Sequence, residues 1–450
     1  MTDTHARALR GLHESWNDEA LSERARATAR LGILDVVGCI VGGAPSETAA
    51  KARALAASFA SQGTAAVLGT RQSYAAPVAA FCNGVAGHVL DYDDMNSTMV
   101  AHPSVVLVPA LLALAQSRGA GGSQFLSAYV LGFEVNGHFG RAMVPAHYDN
   151  GWHSTSSLGI FGAAAGAAKL LGLDGAGMLN ALAIAASSSS GLRANFGSMT
   201  KSLHAGQAAE AGVRAAMLSA DGFTANTDVF DSPSGYFAAY ARGADPRPPL
   251  GEGEREIEKS GIGIKPYACC GAGISVIDAA LDLRNAHDFD PKAIASVEVT
   301  LSTMAQSIMP FHTAADGLQA KYCHEYCAAV ALLDKRGGLA QFDDARVVRE
   351  DVQRLVARTK VSVDPAMRVG GGIFPVAMKV SLADGRAFET RLEVPRGHPT
   401  RPLEPAGQLD KFLECAAPVV GEGRAREAAN RIAAIEREPR LDALVTLLRP

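Results

Sequence analysis

Apolar residues recur at helical spacing through most of the first 260 residues. Within 19–42, Ala27, Leu31, Ile33, Leu34 and Val37 follow a 3.6-residue repeat and predict a helix. Pro103 and Ser104 open an apolar stretch over 104–117, a start signal because the first turn does not need the N–H that proline lacks. Segments 121–143, 155–171, 177–190 and 204–221 predict further helices. Several are rich in alanine and glycine, as in GIFGAAAGAAKLLGL. Small residues let helices approach closely, at a backbone cost of ~1 kcal/mol for each helical glycine. A tightly packed helical body is expected.

The period changes near residue 260. SGIGIKPYACCGAG reads as a breaker-rich loop, and ISVIDAALDLRNAH returns to helical spacing. SVEVTLST alternates with period two and predicts a strand. PVAMKVSLADGRAFETRLEV predicts a hairpin, with Asp384-Gly385 as a type I′ turn, whose central positions both need positive φ. PRGHPTRPLEP reads as a linker, and 406–448 is helical again and expected to pack back on the first body. The expected fold class is mainly α: a large all-helical domain plus a smaller α/β (α+β) lid domain. The expected boundaries are 1–262, 263–400 and 401–450, the last being the return to the helical domain.

The 450 residues suit two domains, and nearly half are apolar. A net charge of only −4 gives no footprint for nucleic acid or an anionic membrane. The apolar runs carry Gly, Pro or polar breaks, so no membrane span is expected. The opening MTDTHARALRGLHESW lacks the pattern of a signal peptide. Seven widely spaced cysteines fit reduced thiols, and a cytoplasmic location is expected.

Four segments concentrate reactive side chains. GHVLDYDDMNSTMVAHPS carries His88, Asp91, Asp93, Asp94 and His102. Its carboxylates fit helix capping in a solvated loop, or a site. An imidazole at a helix N-terminus, as at His102, has its pKa pushed down by the dipole, which suits proton exchange near neutrality. HYDNGWHSTSSLG carries His147, Tyr148 and His153, and then Ser154 and Thr155, which either cap a helix or frame N–H groups for a carboxylate.

NFGSMTKSLHAGQAA places Lys201 and His204 on one helical face. Lys201 either snorkels to the surface or needs an anion, which a substrate carboxylate would supply. In KPYACCGAG one of the adjacent thiols, Cys269 or Cys270, is placed to face a pocket. With Cys323, His324 and Cys327 these thiols match no zinc spacing, so no metal is expected. No phosphate-binding loop, HExxH, GxSxG or dinucleotide fingerprint occurs.

LDYDDMNSTMVAHPS, GWHSTSSLG, NFGSMTKSLHAG and KPYACC, in that order and followed by PLEPAGQLDKF, resemble the MmgE/PrpD family over nearly the whole chain. The resemblance implies an active site between the two domains, a homodimer, and no metal or organic cofactor. It implies catalytic roles for Asp91, His102, His153 and Lys201. Cys270 falls where decarboxylases of the family place a histidine. Tyr148 is a further catalytic candidate, and Asp93, Asp94, Ser154, Thr155, His204 and Cys270 are substrate-binding candidates. Met95, Ile274 and the Tyr322–Tyr326 stretch depart from the usual residues.

The chemistry implied is cofactor-independent proton exchange next to a carboxylate of a small polycarboxylic acid, most simply in a lyase of dehydratase or decarboxylase type. An epimerase of an iminodisuccinate-like dicarboxylate is the alternative. A catalytically inactive binding protein on the same fold is the second.

Overall fold

The computed structural model describes residues 4–59, 61–242, 254–367 and 373–450. Its helical part contains Glu23–Gly43, Ala76–His88, Ser104–Arg118, Gly122–Met143, Gly159–Leu170, Gly175–Ala186 and Met199–Ala220. The first of these starts four residues later than the apolar pattern alone indicates, because the Ser22 side chain accepts from the Ala25 N–H and fixes the N-terminus. The helix expected over 155–171 is broken. Ser154–Ser157 form a single turn, and the regular helix begins at Gly159. The helix expected from 204 begins at Met199 instead, so Lys201 and His204 both stand near its N-terminal end.

Glycine decides how close these helices come. A Cβ on Gly84 would lie 2.8 Å from the Cα of Gly206, and one on Gly206 would lie 2.6 Å from the Phe81 carbonyl oxygen. The Ala76–His88 and Met199–Ala220 helices therefore cross nearly backbone to backbone. That crossing sets His88 beside His153 and Lys201.

The chain end returns to this body. Pro405–Val420 packs on Glu23–Gly43, where Gly42 meets Cys415 and Lys411 pairs with the buried Asp35 at 2.6 Å.

A second apolar core gathers around the Gly271–Ala286 and His324–Asp334 helices. These helices cover a sheet. In chain order the strands are β1 (Ala65–Ala66), β2 (Ser73–Tyr74), β3 (Ile294–Leu301), β4 (Thr359–Val363), β5 (Val376–Leu382) and β6 (Ala387–Leu392). β1 and β2 pair with each other, and the other four form one sheet in the order β4-β3-β5-β6. β4 runs parallel to β3, while β5 and β6 are antiparallel to their neighbours. Val376, Met378, Val380 and Leu382 alternate inward, as their period-two spacing requires.

The hairpin is correct, but its turn type is not. Only Gly385 has positive φ (90°), and its N–H donates to the Leu382 carbonyl. The loop is a three-residue turn with glycine in the left-handed position, the geometry of a type I turn closed by a bulge. The Asp384 side chain accepts from the Arg386 N–H and holds it. Among the described residues, no single helix is long and apolar enough to cross a membrane.

Gly206→Ala tests the close crossing. The methyl group has no room, so it should destabilise the fold by ~1–3 kcal/mol, read from the urea midpoint. Gly407→Ala, where nothing lies within 4 Å, should leave the midpoint unchanged or raise it.

Candidate active site

A cavity of about 90 Å³ opens where the two cores meet. At ~10–15 Å³ for each water-sized sphere, this is the scale of a small acid. His102, Tyr148, His153, Thr155, Lys201 and Tyr322 form its polar wall. Met95, Phe196, Cys270, Ala272, Ile308 and Phe374 add an apolar lining, and Asn96, Arg396 and His398 also reach the cavity.

The polar wall is organised around Asp91. Its two carboxylate oxygens take separate ammonium groups: Lys201 at 2.7 Å and Lys265 at 2.6 Å. The Tyr322 hydroxyl donates to the same oxygen as Lys201, and Lys265 also reaches the Asp91 carbonyl at 2.9 Å. All four side chains are buried. Burial opposes the charge on Asp91, yet Lys201 and Lys265 hold its pKa well below the usual carboxylate range. Burial likewise opposes the charge on Lys265, and Asp91 and Asp93 still keep that ammonium protonated above its ordinary value. Lys201 is thus as desolvated as its small, apolar segment indicates, but the anion it finds is internal. A substrate carboxylate would share this ammonium, not supply its first partner.

Asp91 adopts φ 51°, in the left-handed region. Val100, a β-branched residue lining the cavity, sits at φ 45°. Two non-glycine residues in this region beside one pocket indicate a loop held by its surroundings.

His102 donates from Nδ1 to the Asp94 carbonyl oxygen at 2.8 Å. A carbonyl only accepts, so this nitrogen carries the proton and Nε2 keeps its lone pair in the neutral ring. Burial first, and then the Lys265 ammonium, push His102 well below the ordinary imidazole value, and the neutral form prevails. The His102 backbone N–H donates to Thr155 Oγ1 at 3.1 Å, which ties this loop to the turn after His153. His153 shares Nδ1 with His204 Nδ1 at 3.1 Å, while its Nε2 is buried without a protein partner. Burial, His88 and Lys201 drive its pKa well below the ordinary value too.

The remaining candidates divide. Tyr148 and Cys270 line the cavity. Burial raises the Tyr148 phenol above its usual range, although the Arg193 guanidinium 3.9 Å over the ring opposes this. Burial also pushes the Cys270 thiol up to about 12, so it is a neutral wall residue at physiological pH.

Asp93 and Asp94 do not line the cavity. Both are fully buried. Asp93 accepts from His88 Nδ1 at 2.8 Å, and Asp94 takes the Ser104 hydroxyl at 2.6 Å and its N–H at 3.2 Å. Their work is to hold the loop behind the pocket. Ser154 is buried behind the wall, and neither it nor Thr155 caps the short turn by a side-chain bond. The expected long helix thus begins as a single turn, with Thr155 on the cavity wall. His204 also stands one layer back, against His153. Lys265 and Tyr322 were not legible as site residues. A lysine before a proline in a breaker-rich loop gives no signal of a buried role, and neither does a tyrosine 57 residues further on.

His88, Asp93 and His102 bring ligand-type atoms within 4.8 Å of one another. The donor set fits hydrogen bonding better than a cation. His102 Nδ1 donates to the Asp94 carbonyl oxygen, His88 Nδ1 is paired to Asp93, and two ammonium groups raise the local positive potential.

Known proteins resemble this chain along its length. The MmgE/PrpD N-terminal domain matches residues 13–249, and the MmgE/PrpD C-terminal domain matches residues 267–437. The cis-aconitate decarboxylase of Homo sapiens is 28% identical over 467 residues, covering 100% of this chain and 94% of its own. That of Mus musculus is 28% identical over 430 residues, covering 92% and 86%. That of Aspergillus terreus is 27% identical over 451 residues, covering 93% and 91%. The four ordered segments and these full-length matches agree: the chain belongs to the MmgE/PrpD family.

Proposed function

We propose that this lyase of the MmgE/PrpD family is a decarboxylase of a small, unsaturated polycarboxylic acid of the cis-aconitate kind, working without metal or organic cofactor. The observation that carries the reading is the polar wall: paired ammonium groups on one carboxylate, beside two neutral imidazoles with pocket-side nitrogens. Asp91 and Asp93 face Lys201, Lys265 and the buried Lys321, whose pKa burial lowers to about 8. The excess of positive charge favours an anion in the cavity.

Loss of CO₂ breaks a carbon–carbon bond and leaves its electron pair on the neighbouring carbon. That charge spreads into an adjacent carboxylate, where the Lys201 ammonium is already fixed and desolvated. A proton must then reach the carbon. His102, His153 and the Tyr148 hydroxyl line the cavity and supply the proton-transfer groups. The apolar wall of Met95, Ile308 and Phe374 excludes water and leaves little hydration for the departing CO₂.

A second reading, epimerisation of an iminodisuccinate-like dicarboxylate, is favoured by the presence of two separate imidazoles on one cavity. We also propose a two-body arrangement divided near 262 and 400, and a cytoplasmic homodimer. Exposed Leu55, Phe59 and Phe223 offer apolar surface for such a contact.

Incubation with cis-aconitate in D₂O tests the chemistry. Release of CO₂ with one deuterium on the product carbon is the expected result. Deuterium entering a dicarboxylate without CO₂ would favour the epimerase, and no exchange into any small polycarboxylate would mark a binding protein. EDTA should leave turnover unchanged.

Lys201→Ala should lower kcat at least ~10-fold, since a charged hydrogen bond contributes ~1.5–3 kcal/mol and acts here on the developing charge. Asp91 keeps Lys265 and Tyr322, so the variant should remain folded by circular dichroism.

Acid should unfold the protein early. His88, His102 and His153 lie below 6.5 when folded, and burial lowers His147 and His204 to about 4. The unfolded chain therefore takes up protons first. The stability these rings contribute is complete above pH 6.5 and is lost as pH falls from there towards their folded values. Tm should fall steadily between pH 6.5 and 4, and a flat Tm there would contradict the neutral assignment.

A further inference from the structure

His153 lines the substrate cavity, and its Nδ1 faces His204. Its Nε2 is buried with no protein partner, and its Nδ1 lies 3.1 Å from Nδ1 of His204. Two nitrogens at that distance form a hydrogen bond only if one of them carries the proton. If that proton sits on His204, neutral His153 must carry its own on Nε2 and donate to the cavity. If it sits on His153, Nε2 is a bare lone pair and accepts.

We propose that His204 is a positioning residue that stores the proton which replaces the one His153 delivers to substrate, and so switches Nε2 of His153 between donor and acceptor. This rests on the assignment of His153 to proton transfer made above. The surrounding charges favour storage on His204. His153 is enclosed by His88 from the Ala76–His88 helix, His102 from the loop that follows it and Lys201 from the Met199–Ala220 helix, all of which oppose a second proton on its ring. His204 faces His88 and Lys201 alone among these. Its ring packs against Gly191, where φ is 113° and an added Cβ would lie 3.4 Å from it.

The step balances. Once a bound polycarboxylate has drawn a proton onto the otherwise neutral pair, His204 is protonated on both nitrogens and His153 on Nε2 only, with one positive charge on the pair. The Nε2 proton goes to the carbanionic carbon while the His204 Nδ1 proton moves to His153 Nδ1. Both rings end neutral, His204 with its proton on Nε2 and His153 with its proton on Nδ1. Neither passes through an imidazolate. A proton from water then returns to His153 Nε2, the Nδ1 proton returns to His204, and the pair is reset. A polycarboxylate in the cavity favours the charged state of the pair by simple attraction.

The test compares His204→Phe, His204→Gln and His153→Gln with the unaltered protein. In histidine-labelled ¹⁵N spectra of the ligand-free protein, one downfield proton should belong to the Nδ1–Nδ1 bond and vanish in both His204→Phe and His153→Gln. With cis-aconitate as substrate, His204→Phe should lower kcat about 10-fold or more with KM changed less than about 3-fold. It should also move the basic limb of the kcat–pH profile down by about one unit, because His153 alone holds its proton less well. His204→Gln offers a fixed amide donor but no store. Part of kcat should return while the limb stays shifted.

A downfield proton that survives in His204→Phe, or an unshifted pH profile with kcat lowered only in step with the folded fraction, overturns the proposal. If His153→Gln keeps full turnover, or the unaltered protein leaves cis-aconitate untouched, the reading of the site fails instead. The spectrum still decides the histidine pair on its own.

Discussion

The site depends on one carboxylate. Asp91 sits in a left-handed backbone conformation at the join of the two cores, and it receives Lys201 from the helical body and Lys265 and Tyr322 from the other side. Removing either lysine leaves a charge still paired, but removing the carboxylate would strand two buried ammonium groups, among the costliest arrangements a fold can hold. The neighbouring Lys321 reinforces the join without an anion, donating to the carbonyls of Leu90 and Ala268 at 2.8 and 2.9 Å. Loop 90–94 and loop 265–270 are thus tied by charge and by backbone bonds, and the cavity is the space their join leaves open.

Burial first, and then that concentration of positive charge, set the state of the histidines. An imidazole in water at neutral pH is partly protonated, but here burial and the lysines both act against the second proton on His102 and His153. The rings stay neutral, so the hydrogen bond each makes at its back decides what it presents at its front. The Asp94 carbonyl makes that choice for His102. An incoming polyanion reverses the electrostatic balance, so the substrate itself brings these rings towards the protonation they need.

Much of the fold was legible because helices and strands write their periods into the sequence. The apolar repeat found the helices, and the alternation in 376–382 found a half-buried strand. The misses have local causes. Periodicity ran straight across Leu158 because Ser154–Gly159 is as small and buried on either side of the break as a helix would be. Asp-Gly indicated a two-residue turn, but Asp384 keeps negative φ by taking the Arg386 N–H into its own side chain. At the site, the histidines and Lys201 stood out as polar residues in apolar surroundings. Asp93 and Asp94 stood out equally, although they serve the loop and not the cavity. Residue type marks a buried polar group, but only the fold shows whether its partner is a ligand or a neighbour. Lys265 and Tyr322 lacked even that mark, because their role exists only once chain segments more than 170 residues apart meet Asp91.

The internal ion pair also bears on how the protein's own groups would stabilise a carbanion in the proposed reaction. A lone ammonium in an apolar pocket would grip any carboxylate in the ground state, and tight ground-state binding adds nothing to the chemical rate. Lys201 is already paired with Asp91 at 2.7 Å, its desolvation met during folding and its position fixed beside the neighbouring rings of Tyr322 and Phe196. A substrate carboxylate therefore meets a partly neutralised cation and gains modestly on binding. When CO₂ leaves, negative charge grows on the oxygens nearest that ammonium, and the attraction strengthens without any group having to move. Asp91 thereby lowers affinity for the resting acid more than for the carbanion, which is the difference that catalysis requires.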